Sequence, residues 1–321
     1  MRIADKISVD VLVDNTADML STRPSHFTSE LRVLMEAGMK EMAGESLCVA
    51  QHGISLGVTA HFGSEARTVL FDSGPDPYTL ERNARQTGFD FGKVDALVLS
   101  HGHFDHSEGL LKAAELARSR ANGKKVPLHV HPGAFVKRAD RLSDGGILPL
   151  QDVPKPEELE RAGLTIIYSA EAEEISDGAF YLSGEIPRRS FEKGLENQVR
   201  LGDSGDWEPD PLVMEERFMA AHVKGKGTAI FTGCSHAGVV NICTHAKELF
   251  PDAPLYALVG GLHLVYPNER FIEETVNVLK GFGLKLIIPG HCTGWRAVHA
   301  LINAFGEDVV NPLAVGSRLS L

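Results

Sequence analysis

Short apolar runs alternate with amphipathic segments along most of the chain. Apolar or alternating runs rich in β-branched side chains predict strands, and segments with an apolar side chain every three or four residues predict helices. Strand-rich halves that each end in alternating helices and strands favour an α/β (α+β) fold, with two sheets packed face to face and helices outside. The predicted strands are 7–13, 47–50, 54–62, 68–71, 95–99, 126–131, 164–168, 179–183, 218–223, 228–232, 255–259 and 284–288, and the predicted helices are 28–43, 78–86, 107–122, 156–162, 239–250, 269–280 and 295–305.

Two segments stand apart from this rhythm. Residues 28–43 carry apolar side chains at helical spacing, Met35 and Met42 among them, and predict the helix of an insertion near residues 23–44. Residues 186–217 are charged and broken by Pro, Gly and Asp, which is typical of a lid or a disordered loop. No internal repeat or low-complexity segment divides the chain, so we expect a single domain over residues 1–321.

The segment 100–106 concentrates candidate metal ligands directly behind a predicted strand. It reads Ser-His-Gly-His-Phe-Asp-His and contains His101, His103, Asp105 and His106. Neutral imidazoles and carboxylates bind zinc, manganese or iron, and a strand gives such a loop rigid support. Side chains two apart on an extended segment share a face, so the first two histidines predict one ion site and the last two ligands a second. A histidine-rich surface loop is the alternative, and it explains the clustering less well.

Three later strands are each followed by a histidine. His236 stands in Cys234-Ser-His236, His263 in Gly-Gly-Leu-His-Leu, and His291 in Pro-Gly-His-Cys. A sandwich brings the loops of both sheets to one edge, and a two-metal site needs more ligands than one loop supplies. We therefore predict His236 and His291 as ligands. His263 is a candidate for substrate binding, and a turn histidine explains it equally well.

Further side chains are candidates for support or recognition. Asp72 ends a predicted strand and would orient a ligand imidazole from behind, although a turn-forming aspartate before Ser-Gly is the alternative. His131 would face the cavity and bind substrate, and an ordinary strand-end histidine is the alternative. Arg188 and Arg189 offer fork-shaped recognition of an anion, while a solvated surface pair is the alternative.

Composition and charge restrict the partners. The 321 residues are 43% hydrophobic and carry a net charge of −11, and no Lys/Arg-rich run is present, which disfavours nucleic acid as a partner. The cysteines Cys48, Cys234, Cys243 and Cys292 form no Cys-x-x-Cys pair, and the N-terminal residues do not resemble a signal peptide. No apolar run reaches the roughly 18 residues that cross a bilayer. We expect a cytoplasmic protein that acts on a small molecule without membrane contact, and the oligomeric state is left open.

Several motifs resemble a known family. His-x-His-x-Asp-His behind an apolar strand is similar to the signature of the metallo-β-lactamase superfamily. Gly-Cys-Ser-His-Ala-Gly-Val-Val-Asn, Gly-Gly-Leu-His-Leu and Gly-His-Cys-Thr-Gly resemble, more specifically, its branch of dihydropterin ribofuranosylaminobenzene 5′-phosphate synthases. Further matches to that branch extend over nearly the whole chain and are Val13-Asp-Asn-Thr16, His52-Gly-Ile-Ser55, Phe71-Asp-Ser-Gly74, His131-Pro-Gly-Ala-Phe135 and Gly184-Glu-Ile-Pro-Arg188.

The resemblance implies a four-layer αββα sandwich with two divalent metal ions at the edge of its sheets. In the superfamily the first two loop histidines bind one ion, and the aspartate and third histidine bind the other together with a late histidine, here His291. Most superfamily hydrolases also carry a Gly-His-Thr-type histidine followed by a bridging aspartate, and this chain has neither at the expected place. Cys234 stands near the bridging position, so we assign His236 to the first ion and leave Cys234 as a supporting thiol or a further ligand. Zinc is the expected metal, with manganese and iron as alternatives.

The ions predict the chemistry. Two divalent cations about 4 Å apart lower the pKa of a shared water and polarise a scissile oxygen. We therefore expect a metal-dependent hydrolase that uses the hydroxide of a dinuclear centre, oriented by Asp105, on a small anionic metabolite with an ester, thioester, lactone or phosphodiester bond. One alternative is a transferase that condenses a dihydropterin with ribofuranosylaminobenzene 5′-phosphate. A second is a non-catalytic metal-binding sensor.

Overall fold

The computed structural model describes residues 1–120, 125–192 and 194–321. Among these residues, no helix is long and apolar enough to cross a bilayer. The strands are β1 (Ile3–Ala4), β2 (Lys6–Val13), β3 (Phe27–Thr28), β4 (Ser55–Phe62), β5 (Glu65–Phe71), β6 (Val94–Val98), β7 (Val126–Val130), β8 (Arg138–Arg141), β9 (Ile147–Pro149), β10 (Leu164–Tyr168), β11 (Ala172–Ile175), β12 (Phe180–Ser183), β13 (Gln198–Leu201), β14 (Trp207–Pro209), β15 (Met219–Val223), β16 (Gly227–Thr232), β17 (Leu255–Gly261), β18 (Leu286–Gly290) and β19 (Arg318–Ser320). The α-helices are α1 (Glu30–Glu36), α2 (Pro77–Thr87), α3 (Phe104–Ser107), α4 (Leu110–Arg120), α5 (Pro156–Ala162), α6 (Val239–Leu249), α7 (Ile272–Leu279) and α8 (Trp295–Phe305).

Most strands belong to two large sheets. The first has the strand order β10-β7-β6-β5-β4-β2-β19-β3, and the second has the order β11-β12-β15-β16-β17-β18 with β1 paired to β15. Strands β5, β6 and β7 run parallel in the first sheet, as do β16, β17 and β18 in the second. Because parallel strands point the same way, the loops after their carboxyl ends lie along one edge of each sheet.

The two sheets pack face to face, and helices cover both outer faces. Val69 of β5 and Phe231 of β16 are buried between the sheets, while their neighbours Leu70 and Ile230 face the outer helices. Helices α2, α4 and α5 cover the first sheet, and α6, α7 and α8 cover the second. This arrangement confirms the predicted α/β (α+β) class and the four-layer αββα sandwich.

A third, small sheet was not predicted. Its strand order is β14-β13-β8-β9, and β13 and β14 come from the segment 186–217. Strands of three or four residues are too short to leave a clear period of two in the sequence. The sheet brings Gln198 to the edge where the loops of the large sheets meet. Movement of the segment as a lid stays a prediction.

The segment 23–44 holds a shorter helix than the predicted 28–43, and its being an insertion stays a prediction. Helix α1 ends at Glu36, and Gly38 follows with a φ of +102°, a left-handed conformation that glycine adopts without strain. Met35 and Met42 of the predicted apolar stripe are exposed. The apolar side chains that are spaced as in a helix over residues 28–43 therefore do not form one continuous buried face. The predicted end of another helix, at residues 122–123, lies outside the described residues.

Candidate metal centre

Loops that follow strands of both large sheets meet at one edge of the sandwich. The loop after β6 includes the short helix α3, with His103 at its N-cap position. The loops after β16, β17 and β18 bring His236, His263 and His291 to the same edge. His263, His291 and Ser235 have φ values of 40°, 47° and 69°, which are strained for residues other than glycine. Tertiary packing therefore holds these three residues in backbone conformations that they would not adopt on their own.

Three imidazole rings form a first cluster, which we call the three-histidine cluster. His101 Nε2 lies 3.0 Å from His103 Nδ1, and His236 Nε2 lies 3.1 Å from each of these two atoms. All three side chains are buried. A pair of ring nitrogens can share only one proton, so three mutually facing nitrogens leave lone pairs opposed unless a cation lies among them. Nitrogens bound to one tetrahedral zinc at about 2.0–2.1 Å lie roughly 3.4 Å apart, which is close to these separations.

Outer hydrogen bonds fix the tautomer of His101 and bear on that of His103. Ser100 Oγ donates its proton to Asp72 Oδ2 at 2.7 Å. Ser100 Oγ must therefore act as the acceptor toward His101 Nδ1, which lies 2.9 Å away. His101 therefore turns the lone pair of Nε2 inward. The Gln198 amide lies against His103 Nε2, at 2.8 Å from its nitrogen and 3.1 Å from its oxygen. An amide turned with its oxygen to the ring leaves His103 Nδ1 with an inward lone pair.

Asp105, His106 and His291 form a second cluster, which we call the aspartate cluster. Asp105 Oδ2 lies 3.2 Å from His291 Nε2, and Asp105 Oδ1 lies 3.8 Å from His106 Nε2. His106 Nδ1 donates to Asp72 Oδ2 at 2.7 Å, and His291 Nδ1 donates to Asn15 Oδ1 at 3.0 Å. In its neutral form, each ring therefore turns the lone pair of Nε2 inward. The Nε2 atom of His291 is buried and has no hydrogen-bond partner among the described residues, as expected for an atom that binds an ion.

Burial and facing charges set the protonation of both clusters. Burial lowers the pKa of every ring in the three-histidine cluster, and for His103 it lowers the pKa to about 3. These rings are neutral near pH 7, which is the form that binds a metal ion. Burial also opposes the charged form of His106, but the carboxylates of Asp105 and Asp72 outweigh it and raise the pKa of His106 to about 9. The aspartate cluster thus attracts positive charge.

The donor atoms of both clusters fit divalent ions. One ligand atom from each of Asp105, His106, Cys234 and His291 lies within 4.8 Å of the others. The same holds for His101, Cys234 and His236. Inward lone pairs, neutral imidazoles and one carboxylate together suit zinc, manganese or iron. The residues present therefore fit a metal centre.

Two buried thiols adjoin the clusters. Cys234, His263 and Cys292 form a third group whose ligand atoms lie within 4.8 Å of one another. Both cysteines are free thiols, and Cys292 Sγ donates to the carbonyl oxygen of Cys234 at 3.5 Å. The ring of His263 stacks against His236 with a centroid separation of 4.5 Å. Cys234 is thus shared by all three groups.

A cavity of about 380 Å³ opens onto the centre. Atoms of both clusters line it, together with the amides of Asn15, Asn197 and Gln198 and the exposed ring of Tyr266. No lysine or arginine lines it among the described residues. The volume suits a small molecule.

Comparison with known proteins agrees with this geometry. A family model for the β-lactamase superfamily domain matches residues 67–166. An uncharacterized protein of Methanocaldococcus jannaschii is 31% identical over 256 residues, which cover 78% of this chain and 88% of that protein. The chain belongs to the metallo-β-lactamase superfamily.

Other relatives refine the position within the metallo-β-lactamase superfamily. The 7,8-dihydropterin-6-methyl-4-(β-D-ribofuranosyl)-aminobenzene-5′-phosphate synthase of M. jannaschii is 28% identical over 262 residues, 81% of this chain and 86% of that enzyme. The solved structure of Tm1679, a metal-dependent hydrolase of the β-lactamase superfamily, is 22% identical with a TM-score of 0.71, covering 98% of each chain. Unliganded yeast PDE1 is 11% identical with a TM-score of 0.55, covering 100% of each chain. At such identities the two structures show the fold alone.

Three candidate residues of this metallo-β-lactamase homologue lie away from the cleft. His131 Nδ1 accepts from the backbone N–H of Gly133 at 2.9 Å, and its Nε2 lies 3.2 Å from Glu185. Arg188 donates to two backbone carbonyls of the segment 186–217, and Arg189 forms an exposed ion pair. None of the three lines the cavity. The two arginines suggested for anion recognition therefore contact the protein itself: Arg188 binds backbone carbonyls and Arg189 binds Glu248.

The sequence did not predict His52, Asn15 and Gln198 as part of the metal centre. His52 Nε2 lies 3.3 Å from Asp105 Oδ2. Asn15 holds the His291 ring, and the neighbouring Asp14 accepts from the His291 backbone N–H at 2.8 Å. His52 and Asn15 stand in motifs shared with the synthase branch, and that signal could have identified them. Gln198 stands in no such motif.

Proposed function

We propose that the protein is a metal-dependent hydrolase that acts on a small metabolite at a two-ion centre, with zinc as the preferred metal. The three-histidine cluster would hold one ion and the aspartate cluster the other. The observation that carries this proposal is the pair of adjacent clusters, each with ligand atoms facing one another, at the wall of one cavity. The solvent-accessible wall makes the ions reachable by substrate.

Two divalent ions held here would polarise a scissile oxygen and lower the pKa of a water toward neutrality. Asp105 is positioned to orient the attacking water, because its Oδ2 lies within the aspartate cluster, 3.2 Å from His291 Nε2, and is contacted from outside by His52 Nε2 at 3.3 Å. Asp72 holds His106 and, through Ser100, His101, so that the ligand rings keep their orientation during the reaction.

The cavity restricts the class of substrate. Anionic groups of a substrate would be bound mainly by the ions, because no lysine or arginine lines the described wall. The amides of Asn15 and Asn197 offer hydrogen bonds to polar groups, and the exposed Tyr266 ring offers a flat apolar surface. The proposed substrate is therefore a small metabolite with an ester, thioester, lactone or phosphodiester bond.

A specific observation favours a second candidate function, the condensation of a dihydropterin with ribofuranosylaminobenzene 5′-phosphate. A cavity of about 450 Å³ adjoins the metal cavity and shares Asn15, His291 and Gly294 with it. Its wall is largely apolar and includes the exposed indole of Trp295. Two adjoining cavities suit two substrates, and the related M. jannaschii enzyme is named for such a product.

Turnover by metal-loaded protein tests the proposal. The protein is stripped with a chelator, reloaded with zinc, manganese or iron, and assayed against a phosphodiester, a thioester, a lactone and the pterin pair. We expect about two ions per chain and hydrolysis of one ester class, with Asp105→Asn reducing the rate about 100-fold or more. His61→Gln, which changes a histidine outside the cleft, is the control and should retain the rate.

Each other outcome selects a different function. A joined product from the pterin pair, without ester hydrolysis, would establish the condensing enzyme. Two bound ions without turnover of any compound would favour the sensor. Fewer than one ion per chain under metal-replete conditions would exclude the two-ion centre.

A further inference from the structure

Cys234 lies between the two clusters. Its Sγ is within 4.8 Å of the ligand atoms of His101 and His236 in one cluster. It is also within 4.8 Å of the ligand atoms of the aspartate cluster, and it lies 3.1 Å from His106 Nε2. Among the described residues, no other side chain belongs to both ion-binding groups.

We propose that the thiolate of Cys234 bridges the two metal ions. The inference rests on the proposed two-ion centre and names the ligand that joins its halves. A thiolate sulfur has lone pairs for two cations, and it would stand where the superfamily resemblance places a bridging aspartate. Binding of the ions releases the thiol proton, because the thiolate is the form that ligates.

The backbone around Cys234 holds the sulfur between the clusters. A Cβ added at Gly233 would lie 2.2 Å from Ser100 Oγ, so this glycine lets the end of β16 pack directly against the support of His101. A Cβ added at Gly261 would lie 2.3 Å from the Gly233 carbonyl oxygen. After Cys234 in the chain, the backbone N–H groups of His236, at 2.8 Å, and Ala237 donate to the Glu216 carboxylate. Close packing on both sides therefore leaves the loop little freedom to withdraw the sulfur.

Cys292 provides an internal comparison. It is as well buried as Cys234 and its Sγ is near the same thiol, yet it belongs to neither ion-binding group. It is instead grouped with His263 and Cys234 on the outer side. Cys234→Ser and Cys292→Ser thus remove one sulfur each from nearly the same place. If Cys234 bridges the ions, only Cys234→Ser should remove sulfur from the metal centre.

A bridging sulfur also narrows the choice of metal. Soft thiolate ligands favour zinc and iron over manganese, which prefers oxygen ligands. The bridge therefore disfavours the manganese alternative that the histidines and Asp105 leave open.

X-ray absorption at the zinc edge tests the bridge on the zinc-loaded full chain. Zinc–sulfur bonds of about 2.3 Å are distinguishable from zinc–nitrogen bonds of about 2.0–2.1 Å. One cysteine that bridges two zinc ions gives one sulfur per zinc, whereas one terminal cysteine gives half a sulfur per zinc. We expect one sulfur per zinc in the parent protein and in Cys292→Ser, and none in Cys234→Ser.

A value of half a sulfur per zinc, or no sulfur, would overturn the bridge, as would loss of the sulfur signal in Cys292→Ser. Cys234→Asp is the second variant in case Cys234→Ser does not fold, because a carboxylate can bridge as well. It should keep two zinc ions without a sulfur signal. One sulfur per zinc in a protein that hydrolyses nothing would leave the bridge standing and reject the hydrolase. Hydrolysis with a sulfur-free centre would do the reverse.

Discussion

Asp72 Oδ2 accepts a hydrogen bond from His106 Nδ1 at 2.7 Å, with both side chains buried. The same oxygen accepts from Ser100 Oγ, whose oxygen contacts His101. Asp72 Oδ1 accepts from the Ser100 backbone N–H at 2.7 Å. One carboxylate therefore orients a ring in each cluster, and its three acceptor contacts require two oxygens.

Asp72→Asn should weaken metal binding about tenfold to hundredfold, the usual cost of losing an outer partner of a ligand. Asparagine has one acceptor oxygen, so its amide N–H would face His106 or Ser100. A His106 ring that accepts at Nδ1 carries its proton on Nε2, where the ion should bind. Competition with a chromophoric chelator measures the two affinities, with the exposed Asp144→Asn as the control. Unchanged affinity for both ions would contradict this role of Asp72.

Gln198 should act through the tautomer of His103. Gln198→Leu removes the contact to His103 Nε2 and should lower zinc affinity about tenfold to hundredfold. Gln198→Glu supplies an acceptor of the same shape and should keep the affinity near that of the parent. Calorimetric zinc titration of both variants checks the difference, and Asn197→Ala is the neighbouring control. Equal losses in Gln198→Leu and Gln198→Glu would mean that the amide nitrogen, not the oxygen, faces the ring.

Mobility within the segment 186–217 should be confined to the turn between β13 and β14. Gln198 contacts His103 before this turn, and the buried pair of Glu215 and Arg138, 2.7 Å apart, holds the segment after it. Residues 203–206 are exposed. Limited proteolysis followed by mass spectrometry should show the first cut there. A compound that the assays identify as a substrate should slow this cut. The exposed β4–β5 turn at residues 63–64 is the internal control, and equal slowing at both turns would argue against a lid.

Glu192 should make folding stability depend on pH. Burial raises the pKa of its carboxyl to about 7, against the hydrogen bonds that it accepts from Ser190 Oγ and the Val240 N–H. The folded state therefore keeps a proton that the unfolded state loses above about pH 4.5, and stability falls as the pH rises toward 7. The free energy of unfolding of Glu192→Gln should therefore rise relative to that of the parent by roughly 2 kcal/mol between pH 5 and pH 8.

Denaturant unfolding of the parent and of Glu192→Gln at both pH values measures this gain. The exposed Glu41→Gln is the matched control and should show no such change. A difference between parent and Glu192→Gln that stays constant from pH 5 to pH 8 would show that the buried carboxyl does not titrate in this range.

The part of the centre that sequence could predict lies in local motifs at strand ends. His101, His103, Asp105 and His106 share one loop, so their spacing alone indicates ion binding. His236 and His291 follow parallel strands, and the rule that carboxyl ends share an edge brings them to that loop. The assignment of these side chains as ligands stays a prediction until metal analysis is done.

The rest depends on contacts between segments far apart in the chain. Gln198 reaches His103 because a small sheet forms from four short strands, none long enough to show a pattern. Met35 shows the opposite case, since helical spacing is present but α1 leaves its side chain in solvent. Periodicity reports which face could be buried, and only the tertiary partner decides whether it is.

The position of β19 has a consequence for biosynthesis. Residues 318–320 pair with both β2 and β3, so the first sheet acquires this inner strand only after the helices and strands between β3 and β19 have been synthesised. His291 is likewise translated long after Asp14 and Asn15, which hold it. Such distant pairings form slowly. Until His291 emerges, the nascent chain would therefore offer an incomplete ligand set, and binding of both ions should follow the emergence of this segment.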